Sequence, residues 1–240
     1  MGRKALITGG TSGIGRACAE RLAADGLEVV TAALTREADV VLDVTDPARV
    51  AAVVAEVGPV DVLVNSAGVL GPGKPLAQIS DAEWADTFAV NVTGTFHLCR
   101  AVTPGMVERG NGGAIVITGS TSTFRGVAYK TDMLNPGHMA YGAAKAGVLA
   151  LMRNYAMALG KYGIRVNTIV PAGVNTPMIA NEFFANDLAA DAPPGWMANV
   201  MERGPVEPGD ISDGVLFLLS DEAKYVTGTA LPVDMGTLLI

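Results

Sequence analysis

The chain has 240 residues, half of them hydrophobic and 17% charged, which excludes a disordered polymer and supplies one core for one domain over residues 1–240. Lys and Arg number 17 against 24 Asp and Glu, and the net charge of −7 repels phosphate backbones and anionic lipid, so nucleic-acid and membrane partners are not expected. Cys18 and Cys99 fit neither a disulfide framework nor a zinc spacing, no apolar run is long enough to cross a membrane, and no signal-peptide h-region is present, so a cytoplasmic protein is expected.

In chain order, apolar strand-length runs alternate with amphipathic helix-length stretches. The predicted strands are Ala5–Thr8, Glu28–Ala33, Val40–Leu42, Val60–Val64, Ala114–Thr118, Val166–Val170 and Ala230–Val233. Several are apolar throughout, as strands covered on both faces must be. The predicted helices are Ile14–Asp25, Pro47–Glu56, Asp81–Glu108, Met139–Tyr162, an irregular Asn175–Asp191 and Asp210–Ser220. Strand–helix alternation predicts an α/β fold, a single doubly wound parallel sheet with helices on both faces. Residues 175–208, rich in proline towards their end, read as a loop or lid rather than a domain boundary.

The first predicted strand runs into Thr8-Gly9-Gly10-Thr11-Ser12-Gly13-Ile14-Gly15 and then a helix. Glycines there permit positive φ and let the backbone approach a pyrophosphate, while the helix N-terminus offers unpaired N–H groups. The spacing Gly-x-x-x-Gly-x-Gly departs from the common dinucleotide fingerprint, so a purely structural turn stays open on this motif alone.

That turn resembles the TGxxxGxG turn of the classical short-chain dehydrogenases/reductases, and the resemblance continues in order along the chain. Asp43-Val44 resembles the family's adenine-contacting pair, and Asn65-Ser66-Ala67-Gly68 its NNAG motif. Asn91 stands at its structural and proton-relay Asn, and Ser120 at its catalytic Ser. Tyr141-Gly142-Ala143-Ala144-Lys145 is YxxxK, and Pro171-Ala172-Gly173-Val174-Asn175-Thr176 resembles PGxxxT. The resemblance implies a Rossmann fold that binds NAD(P)(H), with Gly9, Thr11, Ser12, Gly13, Ile14, Gly15, Arg36, Asp43, Val44, Asn65, Ala67, Gly68, Tyr141, Lys145, Pro171, Gly173, Val174 and Thr176 as cofactor-binding residues. It implies no metal.

Tyr141 and Lys145, at i and i+4, share one face of the predicted helix. An ammonium beside a phenol lowers its pKa, which a group titrating near ~10 needs for proton exchange at neutral pH. The resemblance makes Tyr141 the acid or base, Ser120 the holder of the reacting oxygen, Lys145 the tuner of Tyr141 and Asn91 a relay support. Ser122 is the alternative to Ser120, and an exposed Tyr–Lys pair is the plain alternative reading. Tyr129 is a decoy, since Met133 and not Lys stands four residues on. The stretch between Ser120 and Tyr141 is longer than usual for the family; Tyr129, Lys130, Asp132, Pro136 and His138 in it either shape substrate choice or form a surface loop.

At the end of the second strand Ala33 stands where NAD-dependent members carry an acid, and Arg36 follows, which tilts the expectation to NADP. The chain between Arg36 and Asp43 is short enough that a crossover helix is missing. Met178, Ile179, Phe183, Phe184, Leu188, Trp196, Met197 and Met201 suggest a lid over a small lipophilic or cyclic alcohol or ketone, or else a helix on the core. Gly173-Val174-Asn175-Thr176-Pro177-Met178-Ile179, the long stretch between Ser120 and Tyr141, and Ser220-Asp221-Glu222 with Tyr225-Val226-Thr227-Gly228 resemble a carveol-dehydrogenase-like subgroup. Small residues along Met139–Tyr162 let another helix approach closely, and the resemblance, whose members pair this helix across subunits, implies a homotetramer, or else a dimer; the apolar end Leu238-Leu239-Ile240 is expected to be covered, for instance by a neighbouring subunit. A non-catalytic dinucleotide sensor on this fold is the competing reading; a third, an enoyl reductase or epimerase, fits the length and the Tyr–Lys spacing less well.

Overall fold

The computed structural model describes residues 3–72, 76–126, 139–180 and 198–240. Its strands are β1 (Lys4–Thr8), β2 (Glu28–Ala33), β3 (Val40–Val41), β4 (Val62–Asn65), β5 (Gly113–Thr118), β6 (Ile164–Pro171) and β7 (Ala230–Val233). They form one seven-stranded sheet, ordered β3-β2-β1-β4-β5-β6-β7, and every neighbouring pair is parallel. This is the doubly wound arrangement expected from the alternation.

Side chains of a strand alternate between faces, and here both faces are apolar. Leu6, Leu63, Ile115, Ile117 and Val166 pack under helices α2 (Pro47–Val57), α4 (Gly94–Arg109) and α5 (Met139–Leu159). Ala5, Ile7, Val62, Val64, Ala114 and Val116 pack under α1 (Gly13–Ala24) and α6 (Pro208–Leu219). Local chemistry sets the helix starts. Asp46 accepts from the N–H groups of Ala48 (2.9 Å) and Arg49 (3.0 Å) ahead of α2. Ser80 and Glu83 form a reciprocal capping box at the start of α3 (Asp81–Phe88).

Two elements differ from the expectation or complete it. The single helix predicted over Asp81–Glu108 is interrupted by a π-helical turn at Ala89–Thr93, where the Gly94 N–H reaches back to the Ala89 carbonyl. The Asn91 side chain donates to the Thr87 carbonyl (2.9 Å), occupying an acceptor of the regular ladder, and the wider turn follows. Between β2 and β3 no crossover helix is present: residues 34–39 alone carry the chain back to a parallel partner. The Asp39 carboxylate secures that link by accepting from Thr31 N (2.8 Å) and Thr31 Oγ1 (2.7 Å), which also holds its pKa below the usual range.

The irregular helix predicted from Asn175 is represented by turns up to Ala180, and its remainder lies outside the described residues. So do Tyr129, Lys130, Asp132, Met133, Pro136 and His138, and the lid positions Phe183, Phe184, Leu188, Trp196 and Met197. Among the described residues no helix is long and apolar enough to cross a membrane.

Candidate active site

The strand order reverses between β1 and β4, and in such sheets a crevice opens at the C-terminal ends of the strands flanking the reversal. The glycine turn leaves β1 at this point. Gly13 has φ +49°, and a Cβ there would lie 3.0 Å from the Thr176 methyl; a Cβ on Gly15 would overlap the Gly9 carbonyl. Ser12 occupies the N-cap of α1 in extended conformation, makes no capping bond, and no acidic residue follows in the first turn. The leading N–H groups of α1 and its positive dipole end are therefore left for an anionic ligand.

A cavity of about 650 Å³ opens from this turn. Of the expected residues, Gly9, Ser12, Gly13, Ile14, Ala67, Gly68, Ser120, Tyr141, Lys145, Pro171, Gly173, Val174 and Thr176 line it. Thr176 lies directly against Gly13 on its wall. A dinucleotide fits this set: a close-approach glycine turn with an uncapped helix end at one side, and titratable groups at the other.

Lys145 is 5% exposed, and its Nζ donates to the Thr118 carbonyl at 2.7 Å, the last residue of β5. The same Nζ lies 5.4 Å from the centroid of the Tyr141 ring. Ser120 Oγ accepts from the Ser122 N–H (3.1 Å), and a hydrogen bond joins the Ser120 side chain to Tyr141. Burial pushes the Tyr141 phenol up to about 12, with the Ser120 bond pulling in the opposite direction, and burial pushes the Lys145 amine down to about 8. The lowering of the phenol expected from its neighbouring ammonium is not seen: desolvation of the buried phenolate dominates, and the opposing pull comes from Ser120.

Beneath the cavity floor runs a buried chain of hydrogen bonds. Ala67 N–H donates to Thr8 Oγ1 (3.3 Å), and Thr8 Oγ1 donates to Asn65 Oδ1 (2.6 Å). Asn65 Nδ2 donates to Thr95 Oγ1 (2.7 Å), and Thr95 Oγ1 donates to the Asn91 carbonyl (2.6 Å). Asn91 Nδ2 is divided between the carbonyls of Val69 and Thr87, each at 2.9 Å. Its Oδ1 is buried without a partner among the described residues, and a Cβ on Gly68 would lie 2.8 Å from it and 3.6 Å from Lys145 Nζ. Asn91 therefore sits behind Gly68, close to the lysine and off the cavity wall.

A profile of the protein family described as enoyl-(acyl carrier protein) reductase matches residues 9–237. An uncharacterized oxidoreductase of Mycobacterium tuberculosis is 37% identical, over 98% of this chain and 96% of that protein. A structure titled short chain dehydrogenase/reductase family protein superposes with a TM-score of 0.85 at 34% identity, covering 100% of this chain and 98% of the other. The chain belongs to the short-chain dehydrogenase/reductase family. The crystal structure of carveol dehydrogenase from Mycobacterium avium in complex with NAD gives a TM-score of 0.87 at 33% identity, covering 100% of this chain and 99% of the other. As a member of the family the protein is an oxidoreductase that uses a nicotinamide dinucleotide.

Other expected positions of this short-chain dehydrogenase/reductase lie off the cavity wall. Gly15 packs within the turn. Thr11 accepts a long hydrogen bond from Thr35 (3.5 Å), and Arg36 is exposed in the 34–39 link. The Asp43 carboxylate closes its own turn, accepting from Thr45 N (2.8 Å) and Thr45 Oγ1 (2.7 Å). Val44 is buried and its carbonyl accepts from His97 Nδ1 (3.0 Å). Residues that the sequence reading missed also line the cavity, among them Arg125, Asn199, Arg203, Met235 and Thr237. None stands in a motif, and the last two become cavity residues only because the chain folds back after β7.

Proposed function

We propose that this enzyme interconverts a secondary alcohol and a ketone by hydride transfer, with Tyr141, Lys145 and Ser120 as its catalytic residues and Asn91 as a positioning residue. The observation that carries the reading is the convergence of those three side chains on the cavity that also receives the uncapped end of α1. When bound, the nicotinamide supplies the carbon that gives or takes the hydride. Gly9, Thr11, Ser12, Gly13, Ile14 and Gly15 would hold the pyrophosphate side, Arg36, Asp43 and Val44 the adenosine side, and Asn65, Ala67 and Gly68 the floor. Pro171, Gly173, Val174 and Thr176 would flank the nicotinamide.

Ser120 donates a hydrogen bond to the substrate oxygen. Tyr141 gives its proton to that oxygen in reduction and takes it back in oxidation. Lys145, fixed by Thr118, keeps positive charge beside the Tyr141 ring, so that the phenolate formed in reduction is stabilised. Asn91 fixes the strip of backbone through Val69 against which the lysine is held. The Tyr141–Lys145 spacing and the Ser120 contact favour carbonyl and alcohol chemistry over enoyl reduction.

Ala33 in place of an acid, with Thr11, Thr35 and the exposed Arg36 beside the glycine turn, supports NADP as the preferred dinucleotide. Leu70, Met178, Ile179 and Met235 on the cavity wall support a substrate with an apolar, cyclic body. The reading includes a single cytoplasmic domain over 1–240, with 175–208 over the substrate end. It also includes a homotetramer, supported by the exposed Ala143, Ala146 and Ala150 on α5 together with Met157, which is 86% exposed.

The test is the absorbance of the reduced nicotinamide with a panel of cyclic and aliphatic alcohols and ketones, alongside NADH and NADPH titrations read by protein fluorescence. Turnover of a secondary alcohol with tighter NADPH binding is expected. Dinucleotide binding with no turnover across the panel overturns the enzymatic reading and marks a sensor; light scattering on the same sample reports the tetramer.

A further inference from the structure

Although the chain carries a net charge of −7, the described lining of its active-site cavity contains Lys145, Arg125 and Arg203 and no Asp or Glu. Lys145 is engaged with Thr118 and Tyr141. The two arginines belong to separate segments that meet at the turn after β7. Arg125 Nη1 donates to the Thr237 carbonyl (3.3 Å), while Met201 N–H, in the segment that carries Arg203, donates to the Met235 carbonyl (3.3 Å).

The segment of Arg203 and the turn after β7 are each fixed by a buried polar side chain. Asn199, 7% exposed, clamps the backbone of Arg203, donating Nδ2 to its carbonyl (2.8 Å) and accepting at Oδ1 from its N–H (3.1 Å). Asp234, also 7% exposed, accepts from the N–H groups of Gly236 and Leu238, each at 3.0 Å. Between them Met235 is held at φ +55°, a region that a non-glycine residue enters at a cost, and such strain collects at ligand clamps. Arg203 forms no ion pair among the described residues. A guanidinium is a planar fork of donors that matches an oxyanion, and it keeps its charge when desolvated.

We propose that the substrate pair of this enzyme is anionic, a hydroxy acid and its oxo acid, with the acid group held by Arg125 and Arg203 and the apolar body lying along Met178, Ile179 and Met235. The proposal rests on the alcohol–ketone reading above and adds to it the charge of the substrate. An opposite-charge contact of this kind also steers the substrate into the cleft through the repulsive field of an acidic protein.

Reduction is measured for two oxo acids, 3-oxocyclohexanecarboxylate and 4-oxopentanoate, each against its primary amide, with NADPH and with NADH. The expected result is a kcat/KM for the acid about tenfold or more above that for the amide, equivalent to about 1.4 kcal/mol. Added salt raises KM for the acid and leaves that for the amide level. In R125Q and R203Q the acid-to-amide ratio falls towards one through KM, and R125K and R203K recover part of it; melting curves confirm that each variant is folded. A ratio of one in the parent enzyme, a ratio unchanged in the variants, or a matching loss of dinucleotide affinity in R203Q overturns the proposal. Turnover of the amides without preference for the acids leaves the dehydrogenase reading standing and removes the anion; no turnover of any carbonyl compound removes both.

Discussion

Asn65 on β4 and Thr95 on α4 are joined by a buried 2.7 Å hydrogen bond, and through it the end of β1 is connected to the π-helical turn that carries Asn91. Each hydroxyl in this chain donates once and accepts once, so no member can be removed without stranding two others. In Thr95→Val, Asn65 Nδ2 and the Asn91 carbonyl lose their partner together. A loss of about 2–3 kcal/mol is expected, or a melting midpoint lower by about 5–10 °C for a chain of this size. An unchanged midpoint in a thermal scan would show that the chain contributes nothing to the fold.

Tyr141→Phe keeps the ring that packs beside Lys145 and deletes the proton. Turnover is expected to fall by about 10³-fold or more, while the dinucleotide dissociation constant stays within about twofold. Ser120→Ala should fall by about 10²-fold, and Ser122→Ala far less, because it is Ser120 that bonds Tyr141. Steady-state rates for the three variants check the assignment; equal losses at both serines would contradict it.

The sheet and the YxxxK helix were legible because apolar runs at strand length and one-face spacing are written directly in residue types. The π-helical turn was not: Ala89-Val90-Asn91-Val92-Thr93 has no residue that demands it, and it forms because the Asn91 amide finds Thr87 and Val69 in the folded chain. Thr8 and Thr95 look like any helix or strand threonine until the folded chain gives them partners. Asp43 shows the opposite case, a recognised motif residue whose carboxylate closes a local turn with Thr45. The apolar C-terminus read as a surface for a neighbouring subunit to cover; Leu239 and Ile240 are exposed in the single chain, and Thr237 just before them is buried at the cavity wall.

Stability should carry the signature of the buried amine. Lys145 titrates near 8 when folded and near 10.5 when unfolded, so between those values the unfolded chain holds more protons. Its contribution is unfavourable below pH 8 and is relieved as pH rises towards 10.5. Tyr141, pushed up to about 12 from 10, contributes a term that is lost above pH 10. Lys145→Met deletes the first effect. The urea midpoint of the parent protein should therefore gain on that of K145M between about pH 7 and about pH 9.5; a constant difference would mean that the amine is not desolvated.

Gly13→Ala places a methyl where Thr176 stands and forces φ +49° on a residue that resists it. The dinucleotide dissociation constant should rise by about tenfold or more, an effect of about 1.4 kcal/mol, within the range for strained left-handed backbone and a tight contact. Fluorescence titration with NADPH measures it, and an unaltered constant would show that the ligand does not approach this turn.

The brevity of the link between β2 and β3 has a further consequence. Residues 34–39 contribute almost nothing to either apolar core, and Leu34 is 72% exposed. A link of this kind can be rewritten without disturbing the layers beneath, whereas a crossover helix in its place would tie any change to the packing. On the proposed reading, which sets Arg36 at the adenosine side, the selectivity between the two nicotinamide dinucleotides is the property of this protein most open to drift, and a lineage of close descendants should differ there sooner than at any residue near Tyr141.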